Sequence, residues 1–241
     1  GGKANYLIMP YNLKDTSTIF KSAYKNKIKI FFMGSGSNIL ASDEGYDGIV
    51  ISLKKVMNKI KFNEKEIYVQ AGAMLGTMVK EAISKEYKGF ESLIGVPGTV
   101  GGALIMNAGA HGSEISELFL RAKTIDKKGC IKEYNKKDIS FMYRDSSFPK
   151  NEILLEANFK ILKGNKNNIL KRKLDVSNTR KKTQPLKFRS AGSIFKNPSK
   201  YAAGYLIDKA GLKGLRIGDA EISTKHANFI INHGKAKSHD I

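Results

Sequence analysis

Short apolar runs separated by turn-forming residues occupy the first third of the chain and predict β-strands. The runs "KIKIFFMG", "GIVISL" and "EIYVQAGA" are rich in the β-branched and aromatic residues that strands favour. The first of them leads directly into "GSGSN", a cluster that marks a turn. We therefore expect short strands alternating with turns up to Ala73.

The next segment, residues 74–87, has its apolar residues at helical spacing. One face of a helix would carry Leu75, Met78, Val79, Ala82 and Ile83. This spacing is typical of an amphipathic helix packed on a core. The segment therefore predicts a helix whose apolar face is buried.

Strand and helix patterns continue after residue 118. "LRAKTIDKKGCIKEYN" predicts two strands joined at "KKG", and "EILLEANFKIL" predicts a further strand. "KRKLDVSNTRKK", residues 171–182, predicts a helix with Leu170, Leu174 and either Val176 or Ser177 facing inward. Its lysines are typical of a solvated helix face.

The last part of the chain predicts a small arrangement of helices and strands. A helix is expected near residues 202–210, followed by two strands, "LRIGDAEIS" and "NFIINHG". The final residues, "AKSHDI", are typical of the start of a helix, with Ser238 as its N-cap.

Composition places the chain among folded globular proteins. Of its 241 residues, 41% are hydrophobic, which suffices for one large domain or two ordinary ones. No run approaches the roughly 18 apolar residues of a transmembrane helix, and "GGKANYLIMP" lacks the features of a secretory signal. We therefore expect a soluble, cytoplasmic protein without a membrane partner.

The single cysteine and the histidines give no sign of a metal centre. Cys130 alone excludes an internal disulfide and a multi-cysteine zinc site. His111 and His226 have no second ligand at metal-binding spacing. We expect no bound metal.

The chain is strongly basic, with 42 Lys and Arg against 22 Asp and Glu and a formal net charge of +20. Such an excess favours nucleic acid, an anionic surface or an acidic ligand. The lysines are nevertheless spread over almost the whole length, and neither a stacking pattern of aromatic residues nor a zinc-finger or ribonucleoprotein motif accompanies them. Nucleic-acid binding stays a minor alternative, and we expect no such partner.

Two glycine-rich segments are candidates for ligand binding. "GSGSN", residues 34–38, lacks the glycine spacing of a dinucleotide-binding fingerprint, and no P-loop lysine motif occurs in the chain. "GVPGTVGGALIMNAGAHG", residues 95–112, has six glycines among apolar residues and is unlike a flexible linker. Main-chain donors in such segments can hold a pyrophosphate, but tightly packed turns explain both segments equally well.

Two polar motifs lie in the second half of the chain. "YRDSSF" places Arg144 among aromatic and hydroxyl residues. A guanidinium there could grip a carboxylate, or it could pair with Asp145 or a nearby strand end. "SAGSIFKNPS" holds Ser193 between Gly192 and an apolar pair, and a simple turn explains that motif on local grounds.

Taken in order, six motifs resemble those of the UDP-N-acetylenolpyruvoylglucosamine reductases, flavoproteins of bacterial cell-wall synthesis. The motifs are "GGKANYL", "GSGSNIL", "IGVPGTVGGALIMNAGAHG", "YRDSSF", "SAGSIFKNP" and "AGLKGLRIGDAEISTKHANFIIN". They span nearly the whole chain. The resemblance implies an α+β fold, with a two-lobed FAD-binding region of the vanillyl-alcohol-oxidase type and a smaller α+β substrate-binding domain.

The resemblance also implies domain boundaries and cofactor contacts. FAD-binding lobe 1 would span residues 1–56, lobe 2 residues 57–165, and the substrate-binding domain residues 166–241, incomplete at its C-terminus. The FAD diphosphate would lie between the two glycine-rich segments. The matching cofactor-binding residues are Gly34, Ser35, Gly36, Ser37, Asn38, Gly95, Pro97, Gly98, Gly101, Gly102, Asn107, Ala108 and Gly109.

The implied reaction has two halves. NADPH reduces FAD, and the flavin N5 then gives hydride to C3 of the enolpyruvyl group of UDP-N-acetylglucosamine-enolpyruvate. Arg144 and Ser193 match the catalytic residues: the cation would stabilise charge on the enolate, and the hydroxyl would protonate C2. Lys196 would favour the ionised serine. The matching substrate-binding residues are Tyr143, Lys182, Lys196, Asn197 and His226.

The chain departs from the family pattern in two places. The family's substrate-binding lysine aligns with "RKKTQP", which offers Thr183 at one spacing and Lys182 at the next. The family's catalytic glutamate would lie beyond Ile241. We therefore expect the chain to be part of a longer protein that continues at both ends. We also expect the protein to be a monomer. The alternatives are another oxidase of the same flavin fold and a basic nucleic-acid-binding protein.

Overall fold

The computed structural model describes residues 1–54 and 56–241. Contacts within the chain divide it into two compact units. The larger unit comprises Ala4–Gly36 and Asp47–Val176, and the smaller unit comprises Gly1–Lys3, Ser37–Tyr46 and Ser177–Ile241. The domain boundaries expected at residues 56 and 165 stay predictions.

A three-stranded sheet opens the fold. Its strands stand in the order β1 (Ala4–Ile8), β3 (Tyr46–Ser52), β2 (Ile30–Met33), and β2 runs parallel to β3. Helix α1 (Leu13–Lys25) lies between β1 and β2 in the chain. The rings of Phe20 on α1 and Phe32 on β2 meet edge to face, 5.2 Å between centroids, which packs the helix on the sheet.

A five-stranded antiparallel sheet forms the centre of the larger unit. Its strands stand in the order β4 (Ile60–Phe62), β5 (Glu66–Gln70), β12 (Glu152–Lys160), β8 (Phe119–Asp126), β9 (Ile131–Asn135). Side chains alternate between the faces of a strand, and the core face carries the fully buried Ile67, Val69 and Phe159. The predicted strands of this region are confirmed, including the hairpin at "KKG".

Helix α2 (Leu75–Ser84) confirms the predicted amphipathic helix. All five residues of its predicted face are buried, and they join the same core as the five-stranded sheet. The periodicity was informative here because the apolar residues of this segment are large and the opposite face is polar.

The glycine-rich segment contains helix α3 (Val100–Ile105), which the sequence did not predict. Thr99 caps this helix, and Gly101 lets it approach the strand-end residue Ala71. A Cβ atom on Gly101 would lie 2.9 Å from the Ala71 Cβ, closer than side chains pack. Glycine lowers helix propensity in isolation, and here it is the residue that permits close packing.

Among its described residues, the larger unit also has two short hairpins and three single turns of 3-10 helix. The hairpins pair β6 (Gly109–Ala110) with β7 (Ser113–Glu114), and β10 (Phe141–Met142) with β11 (Asp145–Ser146). The 3-10 turns are Glu91–Leu93, Ile115–Glu117 and Lys136–Asp138.

Helix α4 (Lys166–Thr183) is the predicted basic helix, and its inward face agrees with the prediction at Val176 but not at Leu170 and Leu174. Ile169 and Val176 are its buried residues, whereas Leu170 and Leu174 are 37% and 58% exposed. Two buried positions among 18 leave too weak an apolar pattern to identify the inward face from spacing. Within the described part of the chain, no helix is long and apolar enough to cross a membrane.

The smaller unit contains helix α5 (Ala203–Lys209) and a three-stranded antiparallel sheet of β13 (Arg216–Ile217), β14 (Ala220–Ile222) and β15 (Ile230–Asn232). The helix and β15 confirm their predictions. The single strand predicted from "LRIGDAEIS" is wrong, because the segment folds into the β13–β14 hairpin. Gly218 makes that turn possible, since its φ of +55° is in the left-handed region.

Ser238 has a different role from the predicted helix cap. Residues 238–240 form a turn, and the Ser238 amide and hydroxyl both donate to Asp43 Oδ2, at 2.6 and 2.8 Å. The Asp43 amide donates in return to the Ser238 hydroxyl at 3.0 Å. These bonds lower the pKa of Asp43. They join segment 37–46 to the last residues of the smaller unit.

Candidate active site

The two glycine-rich segments meet in the larger unit at Gly34 and Thr99. A Cβ atom on Gly34 would collide with Thr99 Oγ1, so glycine is required at this contact. The Gly34 carbonyl also accepts a hydrogen bond from the Ser52 hydroxyl at 2.9 Å. The strand end before "GSGSN" is thereby fixed against the start of α3.

The amides at the start of α3 are already hydrogen-bonded within the protein. The amides of Val100 and Gly101 donate to the carbonyls of Ala73 and Ala71, at 2.8 and 2.9 Å. The Gly102 amide donates to Thr99 Oγ1 at 3.3 Å. A phosphate bound by this region would therefore need other main-chain donors of the glycine-rich segments.

Asn107 is fully buried and has a φ of +42°. Its Nδ2 donates to Glu114 Oε2 at 2.5 Å and to the Met142 carbonyl at 3.0 Å. Among the described residues, its Oδ1 has no hydrogen-bond partner. A buried acceptor left unpaired costs about 1–3 kcal/mol, so this oxygen is a place where a ligand N–H would be favourable.

Arg144 lies at the turn between β10 and β11, with a φ of +57°. Its Nη2 donates to the Gly109 carbonyl at 2.6 Å, and its guanidinium stacks on the Tyr143 ring, 4.8 Å from the centroid. Of the two structural alternatives, pairing with Asp145 is not found, because Asp145 accepts from the Ser146 amide at 2.9 Å, whereas the bond to Gly109 is a pairing with a nearby strand. Arg144 therefore contacts Gly109, the first residue of a short strand that begins two residues after Asn107.

In the smaller unit, the segment that carries Ser193 is fixed by Asn228, which is buried. The Phe195 amide donates to Asn228 Oδ1 at 2.9 Å, and Asn228 Nδ2 donates to the Phe195 carbonyl at 2.8 Å. The Ile194 amide donates to the Asn228 carbonyl at 3.0 Å. These three bonds hold the residues after Ser193 against Asn228, and Ser193 itself forms an isolated β-bridge with Phe229.

Ser193 itself is exposed, and the residue before it faces open space. Gly192 has a φ of +84°, and a Cβ atom there would meet no described atom within 4 Å. Glycine is therefore required for its backbone conformation and not by crowding. The hydroxyl is accessible to a ligand, which a buried turn serine would not be.

His226 lies two residues before Asn228, in the same part of the smaller unit. Its Nδ1 accepts from the Asn228 amide at 3.2 Å, and its ring packs on Phe229 with centroids 4.7 Å apart. Burial lowers the pKa of His226. Because Nδ1 accepts, the neutral ring carries its proton on Nε2, which is then a donor.

Asn197 and Lys196 follow Ser193 and differ in their contacts. Asn197 Oδ1 accepts from the Ala203 amide at 3.0 Å, so this side chain bonds the first amide of helix α5. Lys196 is exposed. The asparagine therefore has a structural task beside any ligand contact.

The predicted site residues divide between the two units. The larger unit holds Gly34, Ser35, Gly36, Gly95, Pro97, Gly98, Gly101, Gly102, Asn107, Ala108, Gly109, Tyr143 and Arg144. The smaller unit holds Ser37, Asn38, Lys182, Ser193, Lys196, Asn197 and His226.

Comparison with known proteins accounts for both units. A family model described as FAD binding domain matches residues 4–135, and one described as UDP-N-acetylenolpyruvoylglucosamine reductase, C-terminal domain, matches residues 184–241. The UDP-N-acetylenolpyruvoylglucosamine reductase of Rickettsia prowazekii (strain Madrid E) is 41% identical over 241 residues, which are 100% of this chain and 81% of that protein. The chain belongs to the UDP-N-acetylenolpyruvoylglucosamine reductase family.

Further relatives support the same assignment. The reductase of Clostridium tetani (strain Massachusetts / E88) is 41% identical over 242 residues, covering 100% of this chain and 78% of that protein. The crystal structure of the reductase from Thermus caldophilus superposes with a TM-score of 0.86 and 35% identity, covering 97% of this chain and 84% of that one. The predicted resemblance is confirmed.

The fold class is confirmed by more distant structures. Phl p 4.0202, a glucose dehydrogenase, matches with a TM-score of 0.52 and 13% identity, over 66% of this chain and 35% of that one. At this identity the match shows the fold alone. Together with the reductase structure and the FAD binding domain, it identifies the reductase as an α+β flavoprotein of the vanillyl-alcohol-oxidase type.

The choice between Lys182 and Thr183 for the reductase family's substrate-binding position stays open. The Thr183 hydroxyl donates to the Thr179 carbonyl at 2.8 Å, within helix α4. Lys182 is exposed. The threonine thus has an internal partner, and the lysine has the accessible cation.

Glu114, which contacts two of the predicted site residues, was not predicted. It contacts Asn107 and also lies 3.8 Å from Arg144 Nη1, measured from its Oε1. Residues 95–112 contain no acidic side chain, and Glu114 is the first one after them. This position next to the glycine-rich segment was the signal by which the sequence could have identified Glu114.

The larger unit also has a cleft of about 430 Å³ away from the predicted residues. The start of α1 and the polar face of the five-stranded sheet contribute to it, through residues such as Asn12, Gln70 and Glu156. None of the predicted site residues lines this cleft.

Proposed function

We propose that the protein reduces the enolpyruvyl group of UDP-N-acetylglucosamine-enolpyruvate to form UDP-N-acetylmuramate, a peptidoglycan precursor. NADPH is the hydride donor in this proposal, and the product serves cell-wall formation and hence cell shape and division. Beyond the family relationship, the observation that supports it is Arg144. This cation is held with a left-handed backbone against Gly109, and Glu114 contacts both it and buried Asn107.

The residues present fit a flavin cofactor. The unpaired Oδ1 of Asn107 is an acceptor suited to a ligand N–H. Gly112 has a φ of +80° and no described atom within 4 Å of the place where a Cβ would stand, so the backbone there is open to a large ligand. We propose that the glycine-rich segments, with Asn107 and Ala108, hold FAD. When bound, FAD would carry the hydride from NADPH to the substrate.

Arg144 is the proposed electrostatic catalyst. Hydride addition to C3 of the enolpyruvyl group leaves negative charge shared between C2 and the carboxylate. A guanidinium has five N–H donors in one plane. One of them bonds the Gly109 carbonyl, and the others are proposed to hold the substrate carboxylate while its charge develops.

Ser193 is the proposed proton donor to C2. A serine is a weak acid, and the neighbouring Lys196 would stabilise the alkoxide left after transfer. Asn228 fixes the segment that follows Ser193, which supports a defined position for the hydroxyl. Positioned proton transfer of this kind contributes about 10²–10⁴-fold to a rate.

Tyr143, Lys182, Asn197 and His226 are proposed to bind the substrate. For His226 the donor is Nε2–H, because Nδ1 already accepts from Asn228. For Asn197 the donor is the side-chain NH₂ group, because its oxygen already accepts from the Ala203 amide. We also propose that the protein is a cytoplasmic monomer without a membrane partner. The scattered distribution of its lysines supports the absence of a nucleic-acid partner.

A coupled assay tests the proposed activity. The FAD-loaded protein should consume NADPH when UDP-N-acetylglucosamine-enolpyruvate is added, without matching consumption of oxygen. An oxidase of the same fold would consume oxygen with an alcohol substrate instead. NADPH consumption that is unaffected by the sugar nucleotide would contradict the proposal.

A further inference from the structure

Glu114 connects the two polar residues of the larger unit's site. Its Oε2 accepts the short bond from Asn107 Nδ2 at 2.5 Å. Its Oε1 lies 3.8 Å from Arg144 Nη1, a charge contact that is too long for a hydrogen bond. One carboxylate therefore faces the amide on one side and the guanidinium on the other.

Gly109 makes this arrangement possible. A Cβ atom on Gly109 would lie 2.8 Å from Glu114 Cγ and 3.2 Å from Arg144 Nη1. The same residue accepts from Arg144 Nη2 through its carbonyl at 2.6 Å. The guanidinium is thus held at two points, by a hydrogen bond on Nη2 and by the negative charge of Glu114 near Nη1.

The ion pair itself adds little to stability. The side chains of Arg144 and Glu114 are 33% and 35% exposed, and exposed pairs at this distance are weak. The pair leaves the Nη1 hydrogens free of a short bond to the carboxylate. Such a contact can fix the direction of the guanidinium while leaving it able to bind an anion.

We infer that Glu114 is a positioning residue, which acts by orienting the Arg144 guanidinium toward the substrate carboxylate. This inference rests on the proposed function. The negative charge of Glu114 also opposes binding of that carboxylate. Its removal should therefore slow the step that needs an oriented guanidinium without weakening substrate binding.

A structural role must be separated from this one, because Glu114 also caps a turn. Its side chain accepts from the Glu117 amide, and Glu117 in turn accepts from the Glu114 amide at 2.8 Å. Glu114→Gln keeps a side-chain oxygen for the cap and removes the charge. Glu117→Gln is the matched control, since it changes the same chemistry within the same cap, away from Arg144.

The test measures the two half-reactions of the FAD-loaded protein separately, together with equilibrium binding of UDP-N-acetylmuramate by calorimetry. For Glu114→Gln we expect reduction by NADPH at the normal rate, and reoxidation by the enolpyruvyl substrate slowed about 10- to 100-fold, the effect of misplacing a catalytic group by about 1 Å. Product affinity should be unchanged or higher. Glu117→Gln should be normal in all three measurements.

A double-mutant cycle decides whether the effect passes through Arg144. When Arg144→Lys is already present, adding Glu114→Gln should slow reoxidation by a further factor of less than about two, because the oriented guanidinium is already absent. The inference is overturned by an equal loss in both backgrounds, by an equal loss in both half-reactions, or by a normal reoxidation rate for Glu114→Gln. Failure of the proposed function looks different, since the unmutated protein would then not be reoxidised by the substrate.

Discussion

Arg144 combines a strained backbone with an accessible charge. A left-handed φ in a residue other than glycine costs about 1 kcal/mol or more and persists where the surroundings enforce it. Here the β10–β11 hairpin and the bond to the Gly109 carbonyl enforce it. The result is a cation whose planar group is fixed, which is what two-point recognition of a carboxylate requires.

Arg144→Lys should lose most of the substrate half-reaction. A lysine ammonium is a point charge and cannot reproduce a bond to Gly109 together with a two-pronged grip on a carboxylate. We expect the reoxidation rate to fall about 10²-fold or more. Arg172→Lys is the control, because Arg172 is exposed and bonds Ser113 at 3.0 Å. Near-normal reoxidation by Arg144→Lys would remove Arg144 from the reaction.

Ser193→Ala should separate the two half-reactions. Reduction by NADPH does not need a proton on the substrate and should be unchanged, whereas reoxidation by the enolpyruvyl substrate should slow about 10²–10⁴-fold. Stopped-flow absorbance gives both rates, and Ser199→Ala, an exposed serine of the same loop, serves as control. An equal loss in both halves would make Ser193 a structural residue.

At the scale of elements, the site depends on how closely α3 packs. Because Gly101 has no side chain, α3 packs closely against Ala71. The first amides of α3 donate to the carbonyls of Ala71 and Ala73, which lie between β5 and α2. This close packing fixes the helix that precedes Asn107. The glycines that looked like a binding motif in the sequence therefore include at least one whose task is packing.

Gly101→Ala should destabilise the protein by about 1–3 kcal/mol, since the added methyl group overpacks the contact with Ala71. Gly76→Ala should instead stabilise it by about 0.5–1 kcal/mol, because Gly76 lies in α2 with open space at its Cβ position. Urea unfolding compares the two variants. Equal effects of the same sign would contradict this account of α3.

In the central sheet, the Glu152 carboxylate accepts hydrogen bonds from three neighbouring side chains. Burial alone would raise the pKa of this carboxyl, but hydrogen bonds from Lys132, Thr124 and Tyr134 outweigh burial and lower its pKa below 4.5. Its stabilising effect is therefore complete above about pH 4.5 and is lost as the pH falls through the lower pKa of the folded state.

Glu152→Gln should reduce stability at neutral pH by about 1–3 kcal/mol, since it weakens a buried charge-assisted network. It should also flatten the loss of stability below pH 4.5. Unfolding curves at several pH values measure both effects. Glu133→Gln, on the exposed edge strand β9, is the control. An unchanged pH profile for Glu152→Gln would contradict the assignment.

The sequence predicted elements best where one strong pattern determined them. The face of α2 followed from large apolar residues at helical spacing, whereas the inward face of α4 did not, because charged residues surround its two buried positions. Helix α3 was missed because glycine obscures helix propensity and its stability comes from contacts with distant residues. Glu114 was missed for the same reason: its partner Arg144 is far away in the chain.

At the scale of the whole molecule, the predicted site residues lie in two different units, and the family relationship is what assigns them to one reaction. Arg144, Asn107 and Glu114 belong to the larger unit, and Ser193 and His226 to the smaller one. No local pattern relates these residues. The resemblance of six ordered motifs supplied that relation, and similarity over the full chain to the Rickettsia prowazekii reductase supports it.

The most direct test is the visible absorbance of the FAD-loaded protein under anaerobic conditions. The account predicts a yellow protein that NADPH bleaches, and whose colour returns when UDP-N-acetylglucosamine-enolpyruvate is added. A colourless protein that cannot be loaded with flavin, or a bleached one that the enolpyruvyl substrate does not restore, would contradict it.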